Sequence, residues 1–524
     1  MKTFYVTTPI YYVNDRPHIG SAYTTIACDV LARFHRLDGA RVFYLTGTDE
    51  HGQKVAQSAA KAGMAPQDFT DKVSQNFRDL LPMLGISNDD FIRTTESRHK
   101  QAAQALWTQM EEAGDVYQGT YAGWYAQRDE AYYTEDELKI GPNGEKLSPF
   151  DSEVQWMEEK SYFFRLSAFQ DRLLAYYEQN PQAILPESRR NEVLSFVRGG
   201  LKDLAISRST FEWGVPVPNA PEHVMYVWVD ALTNYLTALG YPDMDAEKMT
   251  TFWPKDLLSN PDHMVLHMLG KDILRFHAVY WPAFLMSAGL PPPKRIFAHG
   301  WLNSGDGRKM SKSWGNVIWP EEMVSRFGVE GTRYALLATI PFGNDGNVHL
   351  ENITMRLNND LANNLGNLAQ RTLSFIAKNA GGQVPAPDAF TSDDQALLDA
   401  ARTQMIKDVR SELEMQRFDK AIEAIQRVAT DANIYIDAQA PWTLKKTDPV
   451  RMRTVLYVLA DVIRCLALAM QPLTPKASAQ MLDQLAVMDT ARTFAYLNAP
   501  IESGTSLPAP TGVYPRIELQ ETAA

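Results

Sequence analysis

The stretch FYVTTPIYYVNDRPHIGSAYTTIACDVLARFHRLDGARVFYLT (residues 4–46) reads as strand, loop, helix and strand. Residues 4–6 are aromatic or β-branched, 7–17 are rich in turn formers, 19–37 carry apolar side chains at helical spacing, and 41–46 are a second apolar run of strand length. Helical patterns follow at about 65–84 and 97–113, so β and α alternate over the opening of the chain. That alternation predicts a parallel sheet with crossover helices, one half of a mononucleotide-binding unit. Downstream of residue 117 the composition changes, with Tyr, Trp and Glu crowded into TYAGWYAQRDEAYYTEDEL (120–138) and EKSYFFRLS (159–167). Alternation then resumes in MYVWVDALTNYL (225–236), MVLHMLGKDILRFH (264–277) and RIFAHGW (295–301). The expected catalytic fold is therefore α/β, a Rossmann-type parallel sheet split by an insertion.

Beyond residue 350 the strand patterns stop. Leu357, Leu361, Leu365, Leu368, Thr372 and Phe375 share one helical face, as do Phe418, Ala421, Ile422, Ile425, Ala429, Ala432 and Ile436. An all-α bundle is expected there, ending in a Pro-, Ser- and Gly-rich tail from about residue 498. The chain of 524 residues is 45% hydrophobic and 22% charged, an ordinary globular composition with room for several cores. Its net charge of −12 excludes a protein that coats nucleic acid by bulk electrostatics. The longest apolar stretch, 454–470, is interrupted by Asp461 and Arg464, and the N-terminus lacks an unbroken apolar run. No membrane association and a cytoplasmic location are expected. Cys28 and Cys465, far apart, offer neither a disulfide framework nor a four-cysteine metal site.

Three segments carry the chemistry: PIYYVNDRPHIGSAYT (9–24), LTGTDEHG (45–52) and RKMSKSWGN (308–316). At the first, a strand end, a glycine and a helix start make a phosphate site, because unpaired N–H groups and the helix dipole attract polyphosphate. His18 supplies a donor and Gly20 a bare backbone. At the third, Lys309 and Lys312 are cations in a loop flanked by Gly305, Gly307 and Gly315, suited to a triphosphate. Taken singly, the first segment also reads as a plain helix start with a surface histidine, and the third as a solvated basic loop.

Together the segments resemble class I aminoacyl-tRNA synthetases, and the surrounding residues look most like the methionyl-tRNA synthetase family over essentially the whole chain. KMSKS is a full match, whereas HIGS has Ser21 where the family's HIGH pattern has a second histidine. The resemblance implies ATP accompanied by Mg²⁺, with His18, Ser21, Lys309 and Lys312 in catalysis and His18, Gly20, His299, Lys309 and Lys312 on ATP. It implies Ile10, Tyr12, Trp228, Ala231, Tyr235, Ile273, His277 and Trp281 around the methionine side chain, with Asp49 on the ammonium. Aromatic walls match a polarizable thioether, and Tyr235 and His277 bring polar groups within reach of sulfur. In the bundle, Asn367, Arg371 and Trp442 are implied to contact the anticodon, which suits unstacked bases. For Trp442 the alternative is core packing. Residues 345–524 hold 17 bases against 21 acids, so specificity there rests on individual contacts.

The implied domains are a first catalytic half at 1–116, an insertion with a zinc-free knuckle at 117–225, and a second catalytic half at 226–299. A KMSKS and stem-contact region at 300–350, an anticodon-binding bundle at 351–497 and a tail at 498–524 complete the chain. No metal ligand is assigned. His263 and His267 sit four apart on a strand pattern, and residues 117–165 contain no Cys or His for a zinc knuckle. Tyr121, Trp124, Tyr125, Tyr132 and Tyr133 are the candidates for packing it instead. The expected activity is ATP-dependent attachment of methionine to tRNA(Met), initiator included, by a monomer. The rivals are a class I synthetase for another apolar amino acid, disfavoured by the short insertion, and a catalytically silent tRNA-binding paralogue.

Overall fold

A computed structural model describes residues 1–129, 131–310 and 315–518. At its centre seven strands pair in parallel. Those used below are β1 (Thr3–Thr7), β2 (Arg41–Asp49) and β3 (Asp90–Arg93), then, beyond two strands of the insertion, β4 (Val116–Ala126) and β5 (Val154–Phe164), β6 (Ile184–Leu185), β7 (His263–Gly270) and β8 (Arg295–His299). β1 lies between β2 and β7, with Thr7 level with Leu45 on one side and His267 on the other. β8 and β6 extend the sheet beyond β7, while β3 and the short strand Tyr11–Tyr12 both join β2. All five residues of β1 are buried, as a central strand covered on both faces requires.

The covering helices are α1 (Ile19–Leu37), α2 (Pro66–Leu84), α3 (Ser97–Glu112), α4 (Val227–Thr237) and α5 (Trp281–Ser287). Side chains of β1 alternate between two cores. Phe4 and Val6 join α1, while Tyr5 joins α3, α4 and α5. The core on the α1 side runs without interruption into α6 (Pro320–Ala338), broken at Gly328 where φ is +70°, and onward into the bundle.

The bundle contains α7 (Asn367–Asn379), α8 (Phe418–Gln439), α9 (Pro441–Thr447) and α10 (Pro449–Met470). α10 is buried at every position from Thr454 to Met470, which explains the longest apolar stretch as a central bundle helix. Among the described residues no helix is long and apolar enough to cross a membrane. The helical face expected at 357–375 is present, with a π-helical turn over Asn358–Gly366 in the middle.

Two features of the insertion differ from the expectation. The chain returns to the parallel sheet within it, because β6 pairs with β8. And the knuckle on the β4–β5 ribbon rests on more than aromatic packing. Of the five aromatic candidates, Tyr133 is buried and Trp124 and Tyr125 are half-buried; the side chains of Tyr121 and Tyr132 fall outside the described residues. Asp129 ties the loops together, accepting hydrogen bonds from the hydroxyls of Ser148, Ser152 (2.5 Å) and Tyr133 (3.2 Å). Three hydroxyl donors on one carboxylate satisfy its lone pairs.

A buried ion pair joins the α1 side of the sheet to the bundle. Arg333 on α6, fully buried, bonds Asp29 of α1 at 2.7 Å and donates to the carbonyls of Leu84, Pro472 and Leu473. Asp29 also accepts from Arg33 and Ser87, and these cations hold its carboxyl below the usual range against the opposing effect of burial. Removing one partner of such a pair costs about 3–5 kcal/mol. Arg333→Met should therefore lower the melting temperature by roughly 3–5 °C, the shift that this loss gives in a chain of 524 residues; an unchanged melting curve would show that the junction contributes little.

Candidate active site

The carboxyl ends of β1, β2, β7 and β8 converge, the position at which open α/β sheets bind ligands. His18 caps α1 with extended backbone, and its Nδ1 accepts the Gly20 N–H at 3.0 Å. The proton of the neutral ring therefore sits on Nε2, a donor available to an anion at the helix N-terminus. A Cβ on Gly20 would come 2.8 Å from the His18 ring, so only glycine lets the imidazole fold back in this way. Although His18 keeps exposed surface, desolvation by surrounding protein lowers its pKa, Asp272 opposes that and Lys309 adds to it. Ser21 is buried at the following turn, where its N–H bonds the His18 carbonyl and its own carbonyl accepts from Tyr11.

His299, at the end of β8, donates from Nδ1 to the Gly300 carbonyl and accepts from the Thr24 hydroxyl at Nε2 (2.7 Å). It thereby links the β8 end to α1. Lys309 lies close enough to influence His18, with its ammonium 4.0 Å from the Trp301 ring centroid. Lys312 lies outside the described residues.

A second group gathers behind this one. Asp49, 7% exposed, ends β2, and its carbonyl accepts the Val13 N–H beside the half-buried Tyr12. The residues after it are locked in place. Glu50 is fully buried and receives both Nε and Nη2 of Arg93, while its carbonyl accepts from Trp213 at 2.6 Å. His51 and His99 donate to opposite oxygens of Asp230 on α4, at 2.6 and 2.7 Å. That carboxylate is held well below its usual range because the two histidines outweigh the desolvation that opposes them.

α4 also carries Trp228, Ala231 and Tyr235. Trp228 stacks on Phe276 at 3.8 Å, Ile10 and Ile273 pack partly buried against the same core, and Trp281 is fully buried. A π-helical turn over Phe276–Tyr280, a distortion frequent at functional sites, carries His277. His277 Nδ1–H donates to the Ile273 carbonyl, which can only accept, so Nε2 accepts from the Tyr235 hydroxyl at 2.7 Å. His267, stacked on Tyr235, likewise accepts the Trp281 N–H at Nε2 and donates from Nδ1 to Thr7. In this arrangement the Tyr235 hydroxyl proton and the His277 Nδ1 proton are both already engaged within the protein. Burial drives the pKa of His277 down to about 4. The result is a buried aromatic cluster in which His277 is held neutral.

In the bundle, Asn367 is exposed one turn before Arg371, whose guanidinium pairs with Asp437 at 2.6 Å and lies 5.6 Å from the Trp442 ring. Trp442 is 45% exposed, which argues against the core-packing alternative. The three residues share one surface.

Residues missed from the sequence include Asp272, whose charge acts on His18, His277 and His299 alike, and the Asp230 bridge. Asp272 sits in the quoted GKDILRFH run, where its acidity was the available signal. Asp230 unites residues from three distant segments, which no spacing reveals. Among the described residues, no group of three or more His, Cys, Asp or Glu is arranged to hold a metal.

A signature helix start, a lysine loop beside it and an aromatic cluster around Tyr235 at the neighbouring strand ends are the arrangement of a class I aminoacyl-tRNA synthetase. Residues 4–373 match the family described as tRNA synthetases class I (M), and 384–524 the anticodon binding domain of methionyl tRNA ligase. The chain is 53% identical to a methionine–tRNA ligase of Rhizobium meliloti and 54% identical to one of Brucella suis, each match covering 98% of both chains. A solved structure of Mycobacterium tuberculosis methionyl-tRNA synthetase in complex with methionyl-adenylate superposes with a TM-score of 0.94 at 51% identity, covering 98% of this chain and 100% of that one. The chain belongs to the methionyl-tRNA synthetase family.

The buried, neutral His277 has a pH consequence. The His277 ring takes up a proton near 6.5 when unfolded but only near 4 when folded, so folding loses stability as pH falls through that window. The loss from this residue is roughly 3 kcal/mol by pH 4. His277→Gln should flatten the fall in melting temperature between pH 6.5 and 4; an identical slope in both proteins would mean the histidine is not held neutral.

Proposed function

We propose that this chain is a methionine–tRNA ligase acting through the residues gathered above. The observation that carries this reading is the His18 donor and the Lys309 cation at one helix start, with Asp49 and the aromatic cluster around Tyr235 on the neighbouring strand ends and α4. The methionine carboxylate attacks the α-phosphorus of ATP, a P–O bond breaks, and pyrophosphate leaves with methionyl-adenylate remaining. The 3′-terminal ribose hydroxyl of tRNA then attacks the adenylate carbonyl and AMP departs. Since the substrate carboxylate is the nucleophile, the protein's task is positioning and stabilising developing charge.

In this account His18 donates from Nε2 to a phosphate oxygen, and Lys309 and Lys312 face the triphosphate. Gly20 and His299 border the nucleotide, with Ser21 completing the helix turn. Asp49 pairs with the ammonium, and the thioether lies among Ile10, Tyr12, Trp228, Ala231, Tyr235, Ile273, His277 and Trp281. To meet sulfur with a donor, the Tyr235 hydroxyl must turn away from His277. When bound together with ATP, Mg²⁺ would screen the charge of the phosphates. The ion would be held mainly by phosphate and water rather than by a protein cage. Asn367, Arg371 and Trp442 meet the anticodon of tRNA(Met), initiator included. The enzyme works as a cytoplasmic monomer whose knuckle needs no zinc; stoichiometric zinc in the purified protein, with melting sensitive to a chelator, would contradict the last point.

Pyrophosphate exchange into ATP, measured with each amino acid in turn, tests the assignment. Methionine alone should support rapid exchange, and Asp49→Asn should lose it by about two orders of magnitude or more, the scale of an uncompensated buried charge. Exchange driven equally by leucine or valine, or by no amino acid, would overturn the reading.

The bundle is tested separately. Loss of one base–aromatic stack costs about 1–3 kcal/mol. Trp442→Ala should weaken tRNA charging accordingly while exchange without tRNA and the melting temperature stay near wild type. Unaffected charging, or a large drop in melting temperature, would contradict an anticodon role.

A further inference from the structure

Trp301 follows the β8 end by two residues, and two lysine ammoniums lie against its half-buried ring, Lys309 at 4.0 Å and Lys271 at 4.1 Å from the centroid. The two cations are not equivalent. Lys271 is neutralised by Asp345 at 2.6 Å, whereas no carboxylate among the described residues lies within ion-pair distance of Lys309. The backbone that carries the ring is anchored from behind. Its backbone N–H donates to the other oxygen of Asp345 at 2.8 Å, and the preceding Gly300 passes so close to Asn344 that a Cβ there would be 2.1 Å from its backbone. An anchored indole is the strongest natural π-face for a cation, while an exposed lysine alone samples many rotamers.

We propose that Trp301 is a positioning residue for Lys309, giving its ammonium a preformed seat beside His18 from which it meets the triphosphate. The downstream side of the same loop is anchored in a parallel way. Arg16 lies 3.6 Å from the Trp319 ring centroid, and the Ile318 carbonyl accepts the Ile19 N–H at the start of α1. Each flank of the lysine loop thus carries an indole with a cation on its face, and the downstream one is tied to the signature helix. Asp345 has a distinct part in the arrangement, since by pairing with Lys271 it leaves Lys309 as the unneutralised charge at the ring.

The proposal rests on the reading of Lys309 as a group that acts on ATP. It is tested with the full-length enzyme by steady-state pyrophosphate exchange for Trp301→Tyr, Trp301→Phe, Trp301→Leu, Lys309→Ala and the double variant Lys309→Ala/Trp301→Leu. The rate constant should fall in the order Tyr, Phe, Leu, reaching about a tenfold loss for Leu (about 1.4 kcal/mol), with KM for methionine and the melting temperature unchanged. The double variant should be no slower than Lys309→Ala, because the ring acts only through that lysine. Losses that multiply in the double variant, full activity in Trp301→Leu, or a loss accompanied by a raised KM for methionine or a lowered melting temperature would each overturn the seat. Unchanged exchange in Lys309→Ala would overturn the underlying role of the lysine instead.

Discussion

Everything at the site depends on β1 pairing with two strands that the sequence keeps far apart. β2 follows it directly, but β7 arrives only after the whole insertion, and both register against the same five residues. A central parallel strand has no alternative partners once both edges are filled, so this pairing brings the Asp49 end, the Gly270–Asp272 turn and the His18 cap to one place. The order of closure has a cost, because contacts this distant in sequence demand loop-closure entropy before they return any stabilisation. The buried Asp230 bridge to His51 and His99 reinforces the join at the strand ends, where it ties α4 of the second half to β2 and α3 of the first.

The same logic extends to the bundle. It is not an appended module, since the core above α1 continues into it and Arg333 reaches from α6 to Asp29 and to the turn after α10. A buried guanidinium with a carboxylate and three carbonyls around it resists sliding, because any displacement strands a charge in low dielectric. The helix presenting His18 and the helices presenting Trp442 and Arg371 therefore share one rigid foundation.

Much of this was legible from residue patterns. The helix at 19–37, the strand at 263–270 and the apolar helix at 454–470 show because each is long enough to display its period. The signature segments were legible because their residue types at fixed spacing serve phosphate chemistry. What escaped is short or long-range. Ile184–Leu185 is two residues and has no period, yet it forms an edge of the sheet. The π-turn at 276–280 leaves the apolar pattern intact while shifting His277 toward Tyr235. Asp129 bonding Ser148 and Ser152 stabilises the knuckle through polar residues that composition alone reads as a solvated loop. Trp301 reads as one more aromatic at a strand end until the two ammoniums beside it are seen.

If closure of the split sheet creates the site, the strand ends from the two halves must open and respond to substrate as one body. Native-state hydrogen exchange, followed by mass spectrometry with and without methionine, measures this directly. The amides of Thr3–Thr7, Arg41–Asp49 and His263–Gly270 should exchange with a common, high opening free energy, and methionine should raise protection in α4 and around Asp49 together. Independent exchange of His263–Gly270 from the other two strands, or protection confined to one half when methionine is added, would contradict the account.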